Sequence, residues 1–399
     1  MIFSFRSLGY PIALLFFLVT PETSWAFKIS PCLRILTYSP GVLAADKLNA
    51  LNPCTLGPEA YRLPVHEQLT NFSIDEYKGG GFIANAQNEN PPKAPSTQTL
   101  SYRHLDPWIK PPADRKHSTS DLIYGSWWND DPLMFLWSEG ADFRLGVRKL
   151  NELFSSTIQS RYPGGGDYDC KTPRKDNLAW NSHFGTLQHL HFMSTVAKGD
   201  TINNPLNTTQ EKSLEWIEFA YRVATLQIAY NDKLTPEESS HLHLPSMVTN
   251  LCLKDDRNVT IRTLFSRPDF EDDRRKNMIP DVALGTIFHI MQDSFSPSHT
   301  CRIEEVVDGK QYAVLTEAYN YNRQDSHIHG KLDYFPQWLL DYSRTGIHKY
   351  ENDPVKVGAW LLQAVDAGTP WPKVKEHLVN SIFRRASSPS PIGVKCIGT

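Results

Sequence analysis

The chain has 399 residues, 40 % of them apolar and 11 % aromatic, with a formal charge of −3 and a pI near 6.5. That length suits one large domain or two ordinary ones, and the apolar content suffices for a sizeable core. There is no cationic field to grip duplex nucleic acid by phosphate neutralisation, so a large nucleic-acid partner is disfavoured; a small phosphodiester is not.

At the N-terminus, Arg6 precedes the apolar run PIALLFFLV (11–19), and TPETSWA places Ser24 and Ala26 at the small-residue positions of a cleavage site. The run falls short of the about 20 apolar residues that cross a bilayer. Residues 1–26 therefore read as a cleavable signal peptide, with Phe27 as the mature N-terminus. No later stretch could span a membrane, so a secreted or periplasmic protein without a transmembrane segment is expected. In such a compartment the six cysteines (Cys32, Cys54, Cys170, Cys252, Cys301, Cys396), none in a CxxC pair, imply up to three disulfides.

Along the chain, VHEQLTNFS (65–73) opens a helix with His66 beside the stripe Val65, Leu69 and Phe72. A lone histidine there is more often structural than a ligand, by about two to one. Residues 78–120 are rich in Gly, Pro, Asn and Ser and read as a long loop. GSWWNDDP (125–132) sets Asp130 and Asp131 among aromatics, equally legible as an Asp-rich turn beside a buried Trp. A helix is predicted over 143–158 and a second loop over 161–177. SHFGTLQHLHFMS (182–194) offers His183, His189 and His191. His183 and His191 lie two turns apart and could share a direction, His189 faces elsewhere, and at least one of the three reads as a helix-surface histidine. Helical periodicity recurs over 211–230, 282–295, 334–343 and 355–365, and EEVVDGKQYAVL (304–315) reads as a hairpin turning at Asp-Gly. The class is mainly α, with residues 27–399 forming one multi-helix domain with long loop insertions and a small β-hairpin.

The stretch HIMQDSFSPSH (289–299) carries the most chemistry. His289 and Asp293, at i and i+4, can grip one ion from one helix face, and Pro297 ends the helix so that His299 can fold back. An HxxxD or HxxxE pair arises by chance about once or twice in such a chain, the full H-x3-D-x5-H pattern in only about a few per cent of cases. A second HxxxD pair, His329 and Asp333, follows in HIHGKLD. Imidazoles and carboxylates without a thiolate suit zinc in a hydrolytic site.

With these residues in order, the chain resembles the superfamily of zinc-dependent phospholipases C and fungal three-zinc nucleases, and most closely a larger bacterial phospholipase C branch. The resemblance rests on His66, Gly125-Ser126…Asp130, His191-Phe192 or His183-Phe184, His289/Asp293/His299, and His329/Asp333. It implies three zinc ions per chain and a phospholipase C/nuclease-like helical fold. Asp130, His191 or His183, His289 and Asp293 would hold one zinc; His299, His329 and Asp333 a second. The third would lie between His66 and a bridging Asp293, with the Phe27 backbone as a further ligand. The implied reaction is hydrolysis of a phospholipid at a membrane surface, giving diacylglycerol and a phosphorylated headgroup. Asp130 would orient the attacking water or act as base. Trp127, Trp128, Tyr319 and Tyr321 could receive a choline cation, although such aromatics are about three times more often core. A secreted single-strand nuclease on the same metals is the alternative. A non-catalytic exported binding protein with scattered surface histidines would require the ordered series to be coincidence.

Overall fold

The computed structural model describes residues 65–78, 117–137, 145–146, 149, 177–195, 205–234, 260–320, 332–387 and 395–398. The expected signal peptide, Phe27, Tyr321, His329, the cysteines at 32, 54, 170 and 252, and most of the helix predicted over 143–158 lie outside those residues.

The described residues are mainly helical: α1 (Val65–Tyr77), α2 (Thr119–Trp128), α3 (Asn177–Phe184), α4 (Pro205–Ala224), α5 (Ile261–Phe265), α6 (Asp272–Asp293), α7 (Gln337–Thr345), α8 (Pro354–Asp366) and α9 (Trp371–Asn380). One hairpin, β1 (Thr300–Val307) and β2 (Lys310–Ala318), interrupts them. Its two-residue turn has both Asp308 (φ 53°) and Gly309 (φ 74°) in the left-handed region, which matches the twist of antiparallel strands. The Asp-Gly turn is thus where the sequence places it, although the strands run beyond 304–315. No described helix is long and apolar enough to cross a membrane.

Helix α6 organises the rest. From Met278 to Asp293 every residue is buried, and the helix packs against α1, α2, α4, α5 and α8. A helix apolar on most of its circumference belongs in the interior. It begins ten residues earlier than the apolar stripe at 282–295 indicates, because its first turns are polar (DDRRKN) and Pro280 reads as a break. Within the helix Pro280 merely forgoes one backbone donor.

The closest contact is between α2 and α6. A Cβ on Gly125 would lie 2.2 Å from the Val282 carbonyl oxygen and 2.6 Å from the Gly285 Cα. A Cβ on Gly285 would lie 2.3 Å from the Leu122 carbonyl oxygen. Only paired glycines let the two backbones touch. Beside this contact, Trp128 stacks on Trp216 of α4 (5.1 Å between rings) and donates through Nε1 to the Leu264 carbonyl at 2.9 Å. Trp127 donates to Glu67 of α1 at 2.9 Å. The tryptophan pair therefore belongs to the core.

Other boundaries move for local reasons. The helix predicted over 211–230 spans Pro205–Ala224, since Leu226 takes φ 61° and ends it. The 355–365 helix gains Asp353 as N-cap and Pro354 in its first turn. The 334–343 helix starts at Gln337 and ends at Gly346, which adopts φ 67°. Helix α2 opens at Thr119, inside the tract read as loop, where Ser118 caps the backbone of Asp121. Helix α9 is unanticipated: Pro370 and Pro372 look like breakers but sit at its first turn, where proline is tolerated. At the C-terminal side, Cys301 and Cys396 form a disulfide that ties the tail to β1.

Helices α1 and α8 are joined through His348, whose Nε2 lies 2.9 Å from Glu76 and Nδ1 2.6 Å from Asp353. Burial disfavours the imidazolium, but the bonds to Asp353 and Glu76 outweigh it and raise the pKa from 6.5 to about 10.

Two outcomes are expected. Gly285→Ala should lower unfolding free energy by at least about 2 kcal/mol in urea denaturation, because backbone rather than side-chain atoms must yield. His348→Gln should destabilise by at least about 1 kcal/mol at pH 6, where the raised pKa contributes fully. The difference from the parent should shrink as pH climbs through about 10, where the imidazolium is lost in the folded state too; melting temperatures across that range measure it.

Candidate metal centre

The end of α6 presents His289 and Asp293 one turn apart, with His289 Nε2 2.8 Å from Asp293 Oδ2. His289 Nδ1 donates to the Ser126 carbonyl at 2.6 Å. That bond is a direct consequence of the glycine contact: with Gly125 against Gly285, the next carbonyl on α2 meets the next turn of α6. It also fixes the tautomer, leaving Nε2 with its lone pair toward the carboxylate.

Two residues beyond α2, Asp130 lies fully buried. Among the described residues, neither of its oxygens meets hydrogen-bond geometry with a donor. Its nearest basic neighbours are His183 Nε2 at 3.4 Å and His191 Nδ1 at 3.9 Å. The adjacent Asp131 turns away and accepts from the Leu136 amide at 2.7 Å. Burial, with the Asp130 charge adding to it, pushes Asp131 up to about 8 against those backbone bonds, so it serves the turn.

His183 and His191 do not share a helix. Helix α3 stops at Phe184, where the Asn181 carboxamide accepts from the Thr186 amide at 2.5 Å, and a separate 3₁₀ turn, Gln188–His191, follows. This reversal brings both imidazoles to Asp130, with their rings 4.5 Å apart. Phe192 takes φ 51° directly after the turn and stacks on Phe383 at 4.8 Å, which holds His191 in place. Asn129 donates to the Leu190 carbonyl at 2.7 Å, tying the turn to the end of α2. None of the three histidines in this segment is on a surface. His189 is buried apart from the cluster, and burial lowers its pKa to about 3.

From α1, the His66 ring stacks on His289 (4.1 Å, 15°), with Nε2 3.4 Å from Asp293 Oδ1. Its Nδ1 lies 2.6 Å from Gln292 Oε1, and Gln292 Nε2 donates to Thr70 at 3.0 Å. After α6, His299 Nδ1 donates to the His191 carbonyl at 2.7 Å and lies 3.6 Å from Asp293 Oδ2. Asp333 is buried against the loop that joins Asp293 to His299: its Oδ1 accepts from Ser296 at 2.7 Å and from Ser298. Its expected partner His329 is outside the described residues.

Six of the nine expected ligands thus converge. Three triads, His66/Asp130/His289, Asp130/His183/His191 and His191/His289/Asp293, each bring their ligand atoms within 4.8 Å of one another. Both His183 and His191 belong, where the sequence left the choice open. Gln292, Asn129 and the Ser126 carbonyl are supports that sequence reasoning missed. Gln292 sits beside Asp293 in the same motif, but a glutamine carries no metal signal of its own.

Electrostatics favour a cation. Burial opposes ionisation of Asp293, yet His289 and His299 hold it well below the usual carboxylate range. Asp130 is likewise lowered, despite burial, by His289, His183 and His191. Burial lowers His191 and His289, and takes His299 to about 4, which favours the neutral forms that carry a nitrogen lone pair. His66 differs: Asp293 and Asp130 outweigh its burial and raise it to about 9. The carbonyl ends of α2 and α6 both finish at the cluster and add negative potential. Two buried carboxylates, one with both oxygens lacking hydrogen bonds, are costly to bury unless a positive charge joins them. The donor set fits a metal ion. For Trp127 and Trp128 the favoured core reading holds over the choline one, since both rings are buried with their N–H groups engaged in the core.

No family model matches the chain, and neither a curated protein nor a solved structure matches it. Gln292→Leu should weaken metal binding by about 10- to 100-fold through loss of the His66 support. Competition against a chromophoric chelator measures that loss, and an unchanged affinity would show that Gln292 plays no part in orienting His66.

Proposed function

We propose that this chain is an exported zinc-dependent phosphodiesterase, a phospholipase C that cleaves phospholipids on the glycerol side of the phosphodiester. The observation that carries the reading is the buried cluster of four imidazoles and two carboxylates, His66, Asp130, His183, His191, His289 and Asp293. Nitrogen and carboxylate-oxygen donors without a thiolate suit zinc among the available ions. Zinc held there would supply Lewis acidity, both toward water and toward the phosphoryl oxygens. Phosphodiester hydrolysis needs such acidity because charge accumulates on phosphorus-bound oxygens as the glycerol oxygen departs.

The chain's own residues contribute placement. The His289 ring is fixed by Ser126, the His299 ring by the His191 carbonyl and the His66 ring by Gln292, so the donors are ordered in advance. Asp130, held in its ionised form by His289, His183 and His191 and with neither oxygen in hydrogen-bond geometry among the described residues, would orient the attacking water or take its proton. The resemblance to zinc-dependent phospholipases C supplies the substrate class: a phospholipid met at a membrane surface, by a protein whose formal charge of −3 gives no general attraction to polyanions.

Purified mature protein should contain zinc and hydrolyse phosphatidylcholine to diacylglycerol. Chelation should remove the activity and added zinc restore it. His289→Ala should lower kcat/KM by at least about 10³, given loss of a ligand rather than of one hydrogen bond. Cleavage of single-stranded RNA with no release of diacylglycerol would move the substrate to the nuclease side of the resemblance. A folded, metal-free preparation would overturn the enzyme reading altogether.

A further inference from the structure

A cavity of about 650 Å³ lies between the hairpin, α7 and the C-terminal tail, within the volume range of small-molecule sites. None of the proposed metal ligands lines it. Its walls are held by bonds that the metal centre does not use. The Cys301–Cys396 disulfide fastens the tail, and the Ile397 amide donates to the Arg302 carbonyl at 2.8 Å. Gly398 (φ 84°) sits so close to Pro297 that an added Cβ would lie 2.7 Å from its Cγ. On the opposite wall, Trp338 meets the Phe295 ring edge-on at 5.7 Å. A cavity braced in this way loses little ordering entropy when a ligand enters.

Charge identifies the ligand. Two carboxylates and three cations line the cavity, Glu304 and Asp341 against Arg302, Lys349 and Lys395. Glu304 is committed to Lys349 at 2.7 Å and accepts from the Tyr350 hydroxyl at 2.7 Å. Asp341 lies 3.8 Å from Arg344 and accepts from Gln337 at 2.8 Å. Arg302 and Lys395 are left over. Arg302 is only 3 % exposed, with its guanidinium 3.8 Å from the Phe295 ring centre. It donates to the Ser294, Ala313 and Ile382 carbonyls at 2.6 to 2.7 Å and to the Ser294 hydroxyl at 3.0 Å. Those acceptors fix its orientation, but all are neutral. Among the described residues no carboxylate pairs with Arg302 or with Lys395. A guanidinium keeps its charge when buried, and a buried charge without a counter-charge is costly. We propose that the cavity binds a single-chain amphiphile with one anionic head, of the fatty-acid type. Its chain packs against Phe295, Trp338 and Ile397, and its carboxylate answers the surplus charge of Arg302 and Lys395. The site is separate from the metal centre and independent of the hydrolase reading.

Calorimetric titration of the full mature chain with sodium decanoate tests this, with a chelator present so that no metal holds the carboxylate. Decanoate should bind saturably and at least about 10-fold tighter than decanol, because the uncharged head forfeits a charge-assisted contact. Decyltrimethylammonium, with the same chain and the opposite charge, should bind more weakly still. Lys395→Glu should weaken decanoate binding by about 3- to 10-fold, and Arg302→Met by at least about 10-fold. If Arg302→Met fails to fold, as judged by circular dichroism, the exposed Lys395→Glu carries the charge test. Tryptophan emission at saturation locates the ligand: a bromine-bearing decanoate should quench a fraction that is missing from Trp338→Phe. The proposal is overturned by an absence of saturable binding, by decanol binding as tightly as decanoate, by an unmoved affinity in Lys395→Glu, or by quenching unchanged in Trp338→Phe. Any of those results leaves the hydrolase reading intact. Decanoate bound as expected by a protein that holds no zinc would support the site and sink the proposed function.

Discussion

Helices α2 and α6 approach so closely that their backbones touch at Gly125 and Gly285, and the geometry of the cluster depends on that approach. Any side chain at either position would meet backbone atoms of the other helix, and the two would part by more than a hydrogen bond tolerates. With the backbones in contact, the Ser126 carbonyl reaches His289, and Asp130 emerges from the end of α2 beside the last turn of α6. Asn129, between them, holds the 3₁₀ turn that carries His191. A glycine next to a serine ahead of an aspartate thus does mechanical work. It sets the depth at which two helix ends meet.

The cluster inverts the ordinary rule for interiors. Charged and titratable groups are seldom fully buried unless paired, and here His66, Asp130, His289 and Asp293 lie together at 0 % exposure. The surrounding hydrogen bonds do not neutralise the two carboxylates; they orient the imidazoles. The carbonyl ends of α2 and α6 deepen the negative potential. An apolar core of stacked tryptophans and phenylalanines behind the cluster, Trp128 on Trp216 and Phe192 on Phe383, prevents the helices from relaxing around it. The site is organised by packing that has nothing to do with charge.

Much of the helical architecture was legible wherever a segment is amphipathic by itself. The 355–365 periodicity became α8 almost residue for residue, and the Asp-Gly hairpin turned where two left-handed residues are cheapest. Legibility failed where a polar or proline-bearing segment is helical for tertiary reasons. The first turns of α6 contain Arg275, buried against Ser266, and α9 begins between two prolines. In the cluster, His289 and Asp293 were readable because a helix puts i and i+4 on one face. His183 and His191 were readable as candidates, but that both converge was not, because it depends on a chain reversal at Asn181 and on a left-handed Phe192, neither of which leaves a periodic signal.

By itself the sequence determined the helical class, the hairpin and the ligand types, since periodicity, turn chemistry and donor identity are local properties of the chain. Only the tertiary structure decided that Trp127 and Trp128 are core, that Asp131 serves a turn while Asp130 faces the histidines, and that both His183 and His191 reach it. Apart from Asp131, whose partner Leu136 is five positions away, those outcomes depend on contacts between residues some 50 to 160 positions apart, such as Asp130 with His183 and Ser126 with His289. Such contacts are fixed by how closely two helices can pack, and spacing along the chain does not encode that distance.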